Sequence, residues 1–151
     1  MIRTVVVEDE KKSREVILSL IAKYCHELQV VGEASSVDQA IELIKKEKPE
    51  LVFMDIQLAD GTGFDILQQV QGINFDLIFA TAFDQYAIKA IKYSAIDYLL
   101  KPIDGDELRA AVNKVIEKRS SSSNIDNLKF LLSNLKKGEE EFSRITLPTG
   151  N

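Results

Sequence analysis

Five short apolar runs alternate with amphipathic segments along the first 119 residues, and this alternation limits the possible folds more than any other feature. The runs are Thr4–Val7, Gln29–Gly32, Leu51–Met54, Asp76–Ala80 and Ile96–Leu100. Between them, apolar residues recur three and four positions apart, as on one face of a helix. Strands that alternate with helices predict an α/β fold, in which a parallel sheet carries helices on both faces.

Short sequence signatures mark where three of the helices begin. Ser36 with Gln39, and Asp104 with Glu107, have the spacing of a capping box, and Thr62 with Asp65 is a looser version of it. In this motif the first side chain accepts a hydrogen bond from a backbone N–H of the first turn, and the second side chain accepts one from the backbone N–H of the cap residue. These signatures support the predicted alternation of strands and helices.

Acidic residues follow two of the predicted strands. Glu8 and Asp9 follow the first strand, and Asp55 ends the run Leu51–Met54. If the sheet has the strand order 2-1-3-4-5, these acids meet at one edge, where open α/β sheets bind ligands. Carboxylates about 4 Å apart repel by roughly 4 kcal/mol at an effective dielectric near 20, so such a cluster raises a pKa or binds a cation such as Mg²⁺. The alternative is that the acids simply cap the helices that follow.

Two further polar residues end the last two strands of the predicted sheet. Thr81 follows Leu77–Ala80, and Lys101 follows Ile96–Leu100. A hydroxyl and an ammonium beside a carboxylate cluster supply the donor and the positive charge that a transferring phosphoryl group needs. Taken singly, Thr81 fits a helix cap and Lys101 a solvated lysine. Four strand ends that supply complementary groups favour phosphoryl chemistry.

The polar strand ends and their neighbours form a recognisable set. Taken in order and at these spacings, residues 1–119 resemble the receiver domain of a two-component response regulator, with a flavodoxin-like (βα)5 doubly wound sheet. The matching segments are Val7-Glu8-Asp9-Glu10, Phe53-Met54-Asp55-Ile56, Asp60-Gly61, Ala80-Thr81-Ala82 and Asp97-Tyr98-Leu99-Leu100-Lys101-Pro102.

The resemblance implies that Asp55 is the phosphoacceptor, phosphorylated by a sensor histidine kinase. It implies a Mg²⁺ site formed by Glu8, Asp9, Asp55 and the backbone carbonyl of Gln57. Glu8 departs from the family pattern, which more often has Asp there, and its longer side chain implies contact with the metal through water.

The resemblance also assigns residues to the switch. Thr81 matches the hydroxyl that binds the phosphoryl group, and Lys101 matches the lysine that pairs with it. Tyr98 matches the aromatic residue that turns inward on activation, and the Lys101–Pro102 bond matches one that is cis in the family. Such a domain dimerises when activated. It promotes only its own phosphorylation and dephosphorylation and is not an enzyme acting on an external substrate.

Two stretches resemble the subfamily whose effector is a LytTR DNA-binding domain. They are residues 81–90 and 98–103, and the segment 144–149 resembles the first strand of that effector. The resemblance implies transcription regulation in which DNA is bound only through a C-terminal domain missing from this chain. We therefore expect 143–151 to be the start of a truncated effector.

The segment 120–142 is expected to be a linker followed by an amphipathic helix. Ser120–Asn124 has the composition of a flexible linker. Beyond it, apolar residues alternate by three and four over about two heptads, which suits either docking on the chain's own domain or dimerisation. The seam consists of Ile125, Leu128, Leu132 and Leu135.

Composition excludes several other classes of protein. The net charge of −5 makes binding of nucleic acid by charge alone a poor fit. The single cysteine, Cys25, allows no disulfide framework and fits a reducing cytosol, and no signal peptide or membrane-spanning stretch is present in the sequence. The sequence therefore predicts a cytoplasmic protein without a membrane partner.

Four alternative functions fit less well. A nucleotide- or flavin-binding domain needs a Gly- or Ser/Thr-rich phosphate loop, but acids fill that position here. An aspartate-nucleophile phosphatase of the haloacid dehalogenase kind has a second Asp where this chain has Gln57. An EF-hand across Asp55–Gly61 lacks two ligand positions. A pseudo-receiver used only for protein binding does not need the intact set Asp9, Asp55, Thr81 and Lys101.

Overall fold

The computed structural model describes the backbone of residues 1–135, and the side chains of residues 1–120 and of Leu132. Within that range the strands are β1 (Ile2–Val7), β2 (Leu28–Ala34), β3 (Leu51–Met54), β4 (Gln57–Leu58), β5 (Gly61–Thr62), β6 (Asp76–Thr81) and β7 (Asp97–Leu100). The helices are α1 (Lys11–Tyr24), α2 (Val37–Glu47), α3 (Gly63–Gln69), α4 (Ala87–Lys92) and α5 (Gly105–Leu135).

Five of the strands form one parallel sheet in the order β2-β1-β3-β6-β7. Counting only the strands of this sheet, the order is 2-1-3-4-5, so the predicted doubly wound α/β fold is confirmed. Because every strand is parallel to its neighbour, all five carboxyl ends lie at the same edge.

Both faces of the sheet are buried. On one face Val5, Val52 and Phe79 belong to a cluster that includes residues of α2 and α3. The strand residues that alternate with them, such as Val6 and Phe53, are equally buried. Buried residues of α1 and α5 remain to cover that second face: Ile17, Ile21, Leu108, Ala111, Val112 and Val115. Near-continuous burial along parallel strands is what helices on both faces produce.

The segment after Asp55 contains a small hairpin. β4 and β5 pair antiparallel, with Gln57 opposite Thr62. Gly61 has a φ of 155°, and a Cβ there would lie 2.8 Å from Asp65 Oδ2, so the tight turn needs glycine. The hairpin fixes the backbone beside Asp55.

Helix α5 continues through Ser120–Asn124, where composition predicted a flexible linker. Serine keeps its N–H and its Cβ, so a run of serines lowers helix propensity without breaking the helix as proline does. The chain divides into two compact units, Met1–Val115 and one that begins at Ile116. The sheet lies in the first unit, and the predicted domain boundary at residue 119 remains a prediction.

Part of the C-terminal prediction lies outside the described residues. The segment 136–151 is among them, and so are the side chains of Ile125, Leu128 and Leu135 in the predicted seam. Leu132 is half-buried. Among the described residues, no helix is both long and apolar enough to cross a membrane.

Candidate functional site

Strand register brings the acidic strand ends together. Val7 of β1 lies opposite Met54 of β3, so Glu8 and Asp55 follow side by side. The backbone N–H of Asp55 donates to the carbonyl of Val7 at 3.0 Å, which fixes this step. Carboxylate oxygens of Glu8, Asp9 and Asp55 all lie within 4.8 Å of one another. The structure therefore places these three predicted residues in one cluster.

The other two strand ends reach the same edge. Thr81 of β6 lies opposite Leu100 of β7, and the N–H of Lys101 donates to the Thr81 carbonyl at 2.8 Å. The Lys101 Nζ lies 3.0 Å from Asp55 Oδ2 and also donates a short hydrogen bond to Glu8 Oε1. The lysine therefore faces the acidic cluster.

Burial gives Glu8 an unusual protonation equilibrium. Its side chain is 1% exposed, and desolvation raises its pKa from 4.5 to about 7 against the opposing hydrogen bonds from Lys101 and the Glu10 backbone. For Lys101, burial favours the neutral form, but hydrogen bonds to Glu8 and Asp55 outweigh it, so the pKa of the ammonium is raised. Lys101 therefore stays charged beside two buried acids.

Thr81 is fully buried, and its hydroxyl already has one partner. The N–H of Phe83 donates to Thr81 Oγ1 at 3.4 Å. A hydroxyl that accepts one hydrogen bond can still donate another. The Thr81 proton can therefore be offered to an anionic oxygen at the sheet edge.

Tyr98 lies on β7, and its side chain contacts both β6 and the loop that follows Thr81. Its ring centroid is 6.1 Å from that of Phe79, and its hydroxyl donates a short hydrogen bond to the Phe83 carbonyl. Desolvation is the largest cause of a raised Tyr98 pKa. Beyond β7, the Lys101–Pro102 peptide bond is cis.

The predictions did not include two residues that contact this site. Tyr86 accepts a 2.8 Å hydrogen bond from Gln57 Nε2, and Gln57 in turn donates its backbone N–H to Asp55 Oδ1 at 3.3 Å. Arg14 donates to the Glu8 carbonyl at 2.8 Å. Neither residue ends a strand, so the signal that identified the others did not apply to them.

The donor set fits a magnesium ion. It consists of oxygen atoms only, and the one ammonium, that of Lys101, pairs with the two buried carboxyl groups of the three, Glu8 and Asp55. Burial is the largest cause of the raised pKa of Glu8, and the negative charge of Asp55 raises it further. A hard divalent cation with a preference for carboxylate oxygens would balance the negative charge of the cluster. The Gln57 carbonyl, predicted as a further ligand, follows Asp55 by two residues at the same edge.

Comparison with known proteins assigns the family. The family of response regulator receiver domains matches residues 4–113. This chain belongs to that family. As a receiver domain of a two-component response regulator, it acts in phosphorylation-dependent signalling.

Relatives of this receiver domain include two sensory transduction proteins. LytT of Bacillus anthracis is 37% identical over 123 residues, which are 80% of this chain and 50% of LytT. LytR of Staphylococcus haemolyticus is 36% identical over 128 residues, which are 83% of this chain and 50% of LytR. The chain thus spans about half the length of these relatives.

A solved structure supports the same fold. The REC domain of AraT, a response regulator from Geobacillus stearothermophilus, is 30% identical, with a TM-score of 0.72. The match covers 81% of this chain and 98% of the AraT domain.

Proposed function

We propose that this receiver domain accepts a phosphoryl group on Asp55 from the phosphohistidine of a sensor kinase, in a Mg²⁺-dependent step. The observation that carries the proposal is the meeting of four strand ends. Glu8, Asp55, Thr81 and Lys101 bring two carboxylates, a hydroxyl and an ammonium to one edge of the sheet. These groups are complementary to a phosphoryl group in transfer.

Magnesium would be held by the carboxylates of Glu8, Asp9 and Asp55 and by the Gln57 carbonyl. When bound, it supplies positive charge that neutralises phosphoryl oxygens. We infer these ligands from the oxygen-rich cluster, in which three carboxyl groups outnumber the one ammonium of Lys101.

In the transfer, an Asp55 carboxylate oxygen attacks phosphorus in line. The new O–P bond forms as the P–N bond breaks, and its electron pair returns to the imidazole of the donor. Lys101 pairs with the phosphoryl oxygens, and the Thr81 hydroxyl donates to one of them. Attack of water on phosphorus later releases phosphate and restores the Asp55 carboxylate. The domain thereby promotes its own phosphorylation and dephosphorylation without an external substrate.

Tyr98 would follow Thr81. When the Thr81 segment moves toward the phosphoryl oxygens, space opens beside it and the Tyr98 ring turns inward. This motion breaks the hydrogen bond between the Tyr98 hydroxyl and the Phe83 carbonyl, which joins the two segments in the structure. A small local change of this kind biases a two-state surface.

We propose that this surface dimerises on activation. Large apolar side chains are exposed on α4 and β7, with Ile88 at 76%, Ile91 at 73% and Leu100 at 43%. Apolar patches of this kind mark interaction surfaces. The Ile125–Leu135 seam is proposed as an extension of the dimer contact.

The proposed output is transcription regulation through a LytTR-type DNA-binding effector. The support is sequence similarity to LytT and LytR, in which the matched segment is about half of the protein. A DNA-binding response regulator of the LuxR family from Staphylococcus aureus is also similar, at 25% identity and a TM-score of 0.69. DNA would be bound by the effector and not by the receiver domain.

Phosphorylation is tested by intact-mass measurement after incubation with acetyl phosphate and Mg²⁺. We expect the wild-type protein to gain one phosphoryl group and Asp55→Asn to gain none. Asp38→Asn, an exposed position on α2, is the matched control and should label like the wild type. An unmodified wild-type mass under conditions that label a known receiver domain would contradict the proposal.

Dimerisation is tested by size-exclusion chromatography with beryllofluoride, a phosphoryl mimic, and Mg²⁺. We expect a dimer for the wild type and a monomer for Ile88→Glu. Val16→Glu alters an exposed apolar residue on α1, at 49%, and should leave the dimer intact. A dimer that survives Ile88→Glu and Ile91→Glu together would exclude this surface.

A further inference from the structure

A row of three hydrogen bonds runs from Asp55 to the first turn of α4 without passing through Thr81 or Tyr98. The Gln57 backbone N–H donates to Asp55 Oδ1 at 3.3 Å, and the Gln57 side-chain amide donates to the Tyr86 hydroxyl at 2.8 Å. The Tyr86 carbonyl then accepts the N–H of Ala90 at 2.9 Å. Tyr86 is the N-cap residue of α4, so the row ends where that helix begins.

The loop that follows Thr81 is consequently held from two sides. From β7, the Tyr98 hydroxyl donates to the Phe83 carbonyl. From β4, Gln57 holds Tyr86, whose ring also packs at 6.1 Å from Phe64 and 6.4 Å from Phe83. The two contacts reach the loop through different strands, so either can change while the other remains.

Phosphorylation of Asp55 changes the first hydrogen bond of the row. The Asp55 carboxylate carries a negative charge and is a strong acceptor, because hydrogen bonds to ionised groups are roughly twice as strong as neutral ones. In the acyl phosphate, that charge has left the Asp55 oxygens, so the bond from the Gln57 N–H weakens. The backbone that carries the Gln57 side chain is then less restrained. The hydrogen bond from the Gln57 side-chain amide to the Tyr86 hydroxyl therefore weakens as well.

We propose that Gln57 and Tyr86 are positioning residues that connect the phosphoacceptor Asp55 to α4 without Thr81 or Tyr98. They favour the arrangement that α4 has when Asp55 is unphosphorylated. This inference rests on the proposed phosphorylation of Asp55. A hydrogen bond that is stronger in the unphosphorylated arrangement opposes the switch. Removing the hydrogen bond between Gln57 and Tyr86 therefore raises the protein's affinity for a phosphoryl mimic, because a ligand shifts an equilibrium only by its differential affinity for the two states.

The test is a calorimetric titration of the Mg²⁺-loaded protein with beryllofluoride. Tyr86→Phe keeps the ring and removes only the hydroxyl that Gln57 binds. We expect its affinity for beryllofluoride to rise about two- to fivefold, the effect of one partly exposed hydrogen bond. Gln57→Asn, whose shorter side chain does not reach Tyr86, should give a similar rise. Tyr93→Phe is the matched control, because its ring also packs on Phe64, at 5.3 Å, and its affinity should be unchanged.

The double variant tests whether Gln57 and Tyr86 act through the hydrogen bond that joins them or independently of each other. If the hydrogen bond between Gln57 and Tyr86 is what matters, Gln57→Asn with Tyr86→Phe should match either single variant. A purely structural effect would lower the melting temperature without this non-additivity. Affinities of Tyr86→Phe equal to or below the wild type, or effects that add in the double variant, would overturn the inference. Failure of the wild type itself to bind beryllofluoride would instead refute the phosphorylation of Asp55, so the two failures are distinguishable.

Discussion

Lys101 and Asp55 form an ion pair, with 3.0 Å between Nζ and Oδ2, and the same ammonium also bonds the buried carboxyl of Glu8. Two acids thus share one positive charge. The backbone N–H of Lys101 also donates to the Thr81 carbonyl. The lysine is therefore fixed by the backbone of β6 and by the side chains of Glu8 and Asp55.

Replacing this shared charge should impair phosphorylation. We expect Lys101→Met to lower the rate of labelling by acetyl phosphate on the order of a hundredfold, because a positioned charge near a transferring group contributes about that much. The measurement is the time course of intact mass at fixed Mg²⁺. Lys114→Met is the matched control, since Lys114 forms a 2.9 Å ion pair with Asp97 and is more exposed. Equal rates for Lys101→Met and the wild type would show that the ammonium is not used in the transfer.

Magnesium affinity should depend on Asp9. Asp9→Asn removes one of the three carboxylates that lie within 4.8 Å of one another and leaves the buried pair Glu8 and Asp55 in place. We expect the dissociation constant for Mg²⁺, measured by calorimetry, to rise at least about tenfold, because Mg²⁺ relies on few charged ligands. The exposed variant Asp38→Asn serves as the control. If Asp9→Asn binds Mg²⁺ like the wild type, the ion is held elsewhere or without Asp9.

The sheet was predictable because its strands are buried on both faces. A continuous apolar run such as Leu51–Met54 has no exposed side, so its sequence is distinctive and its bounds agree with the structure. Capping was predicted less accurately. Thr62 and Asp65 form the complete reciprocal box, whereas Gln39 bonds Ser35 instead of returning to Ser36. The choice depends on local backbone geometry that residue spacing alone does not encode.

The site was predictable where its residues end strands, because parallel register carries every strand end to one edge. Glu8, Asp55, Thr81 and Lys101 follow this rule. Tyr86 does not, because its contact with Gln57 depends on the path of an irregular loop and on a short hairpin of two-residue strands. Such short pairings leave almost no periodic signal in a sequence.

Lys48 offers a test of backbone strain at the end of α2. It follows the helix in the left-handed region, with φ of 45° and ψ of 63°, which disfavours residues with a Cβ. We expect Lys48→Gly to raise the free energy of unfolding by about 0.5–1 kcal/mol, because glycine adopts this conformation readily. The hydrogen bond from Arg3 goes to the Lys48 carbonyl and is retained. Urea denaturation provides the measurement.

The same substitution three residues earlier is the control for Lys48→Gly. Lys45 is exposed within α2, where glycine costs about 1 kcal/mol relative to a good helix former. Lys45→Gly should therefore lower the free energy of unfolding while Lys48→Gly raises it. Changes of the same sign at both positions would contradict the assignment of strain to Lys48.

The ion pair between Glu27 and Arg109 should make stability depend on pH in acid. Arg109 donates two hydrogen bonds to the Glu27 carboxylate, at 2.7 and 2.8 Å, and these lower the Glu27 pKa from 4.5 to about 2. A carboxyl whose pKa is lower in the folded state stabilises the fold above the unfolded pKa. Its contribution is therefore fully present above about pH 4.5 and is lost as the pH falls toward 2.

Glu27→Gln isolates this contribution. The two side chains are 34% and 44% exposed, so solvent screening limits the pair to about 0.5–1 kcal/mol. We expect the free energy of unfolding of the wild type to exceed that of Glu27→Gln by this amount from pH 7 to about 4.5, and the difference to shrink steadily below that. Urea denaturation of both proteins across this range measures the difference directly, since effects of other titrating groups cancel. A difference that stays constant down to pH 2.5 would mean that Arg109 does not lower the Glu27 pKa in the folded protein.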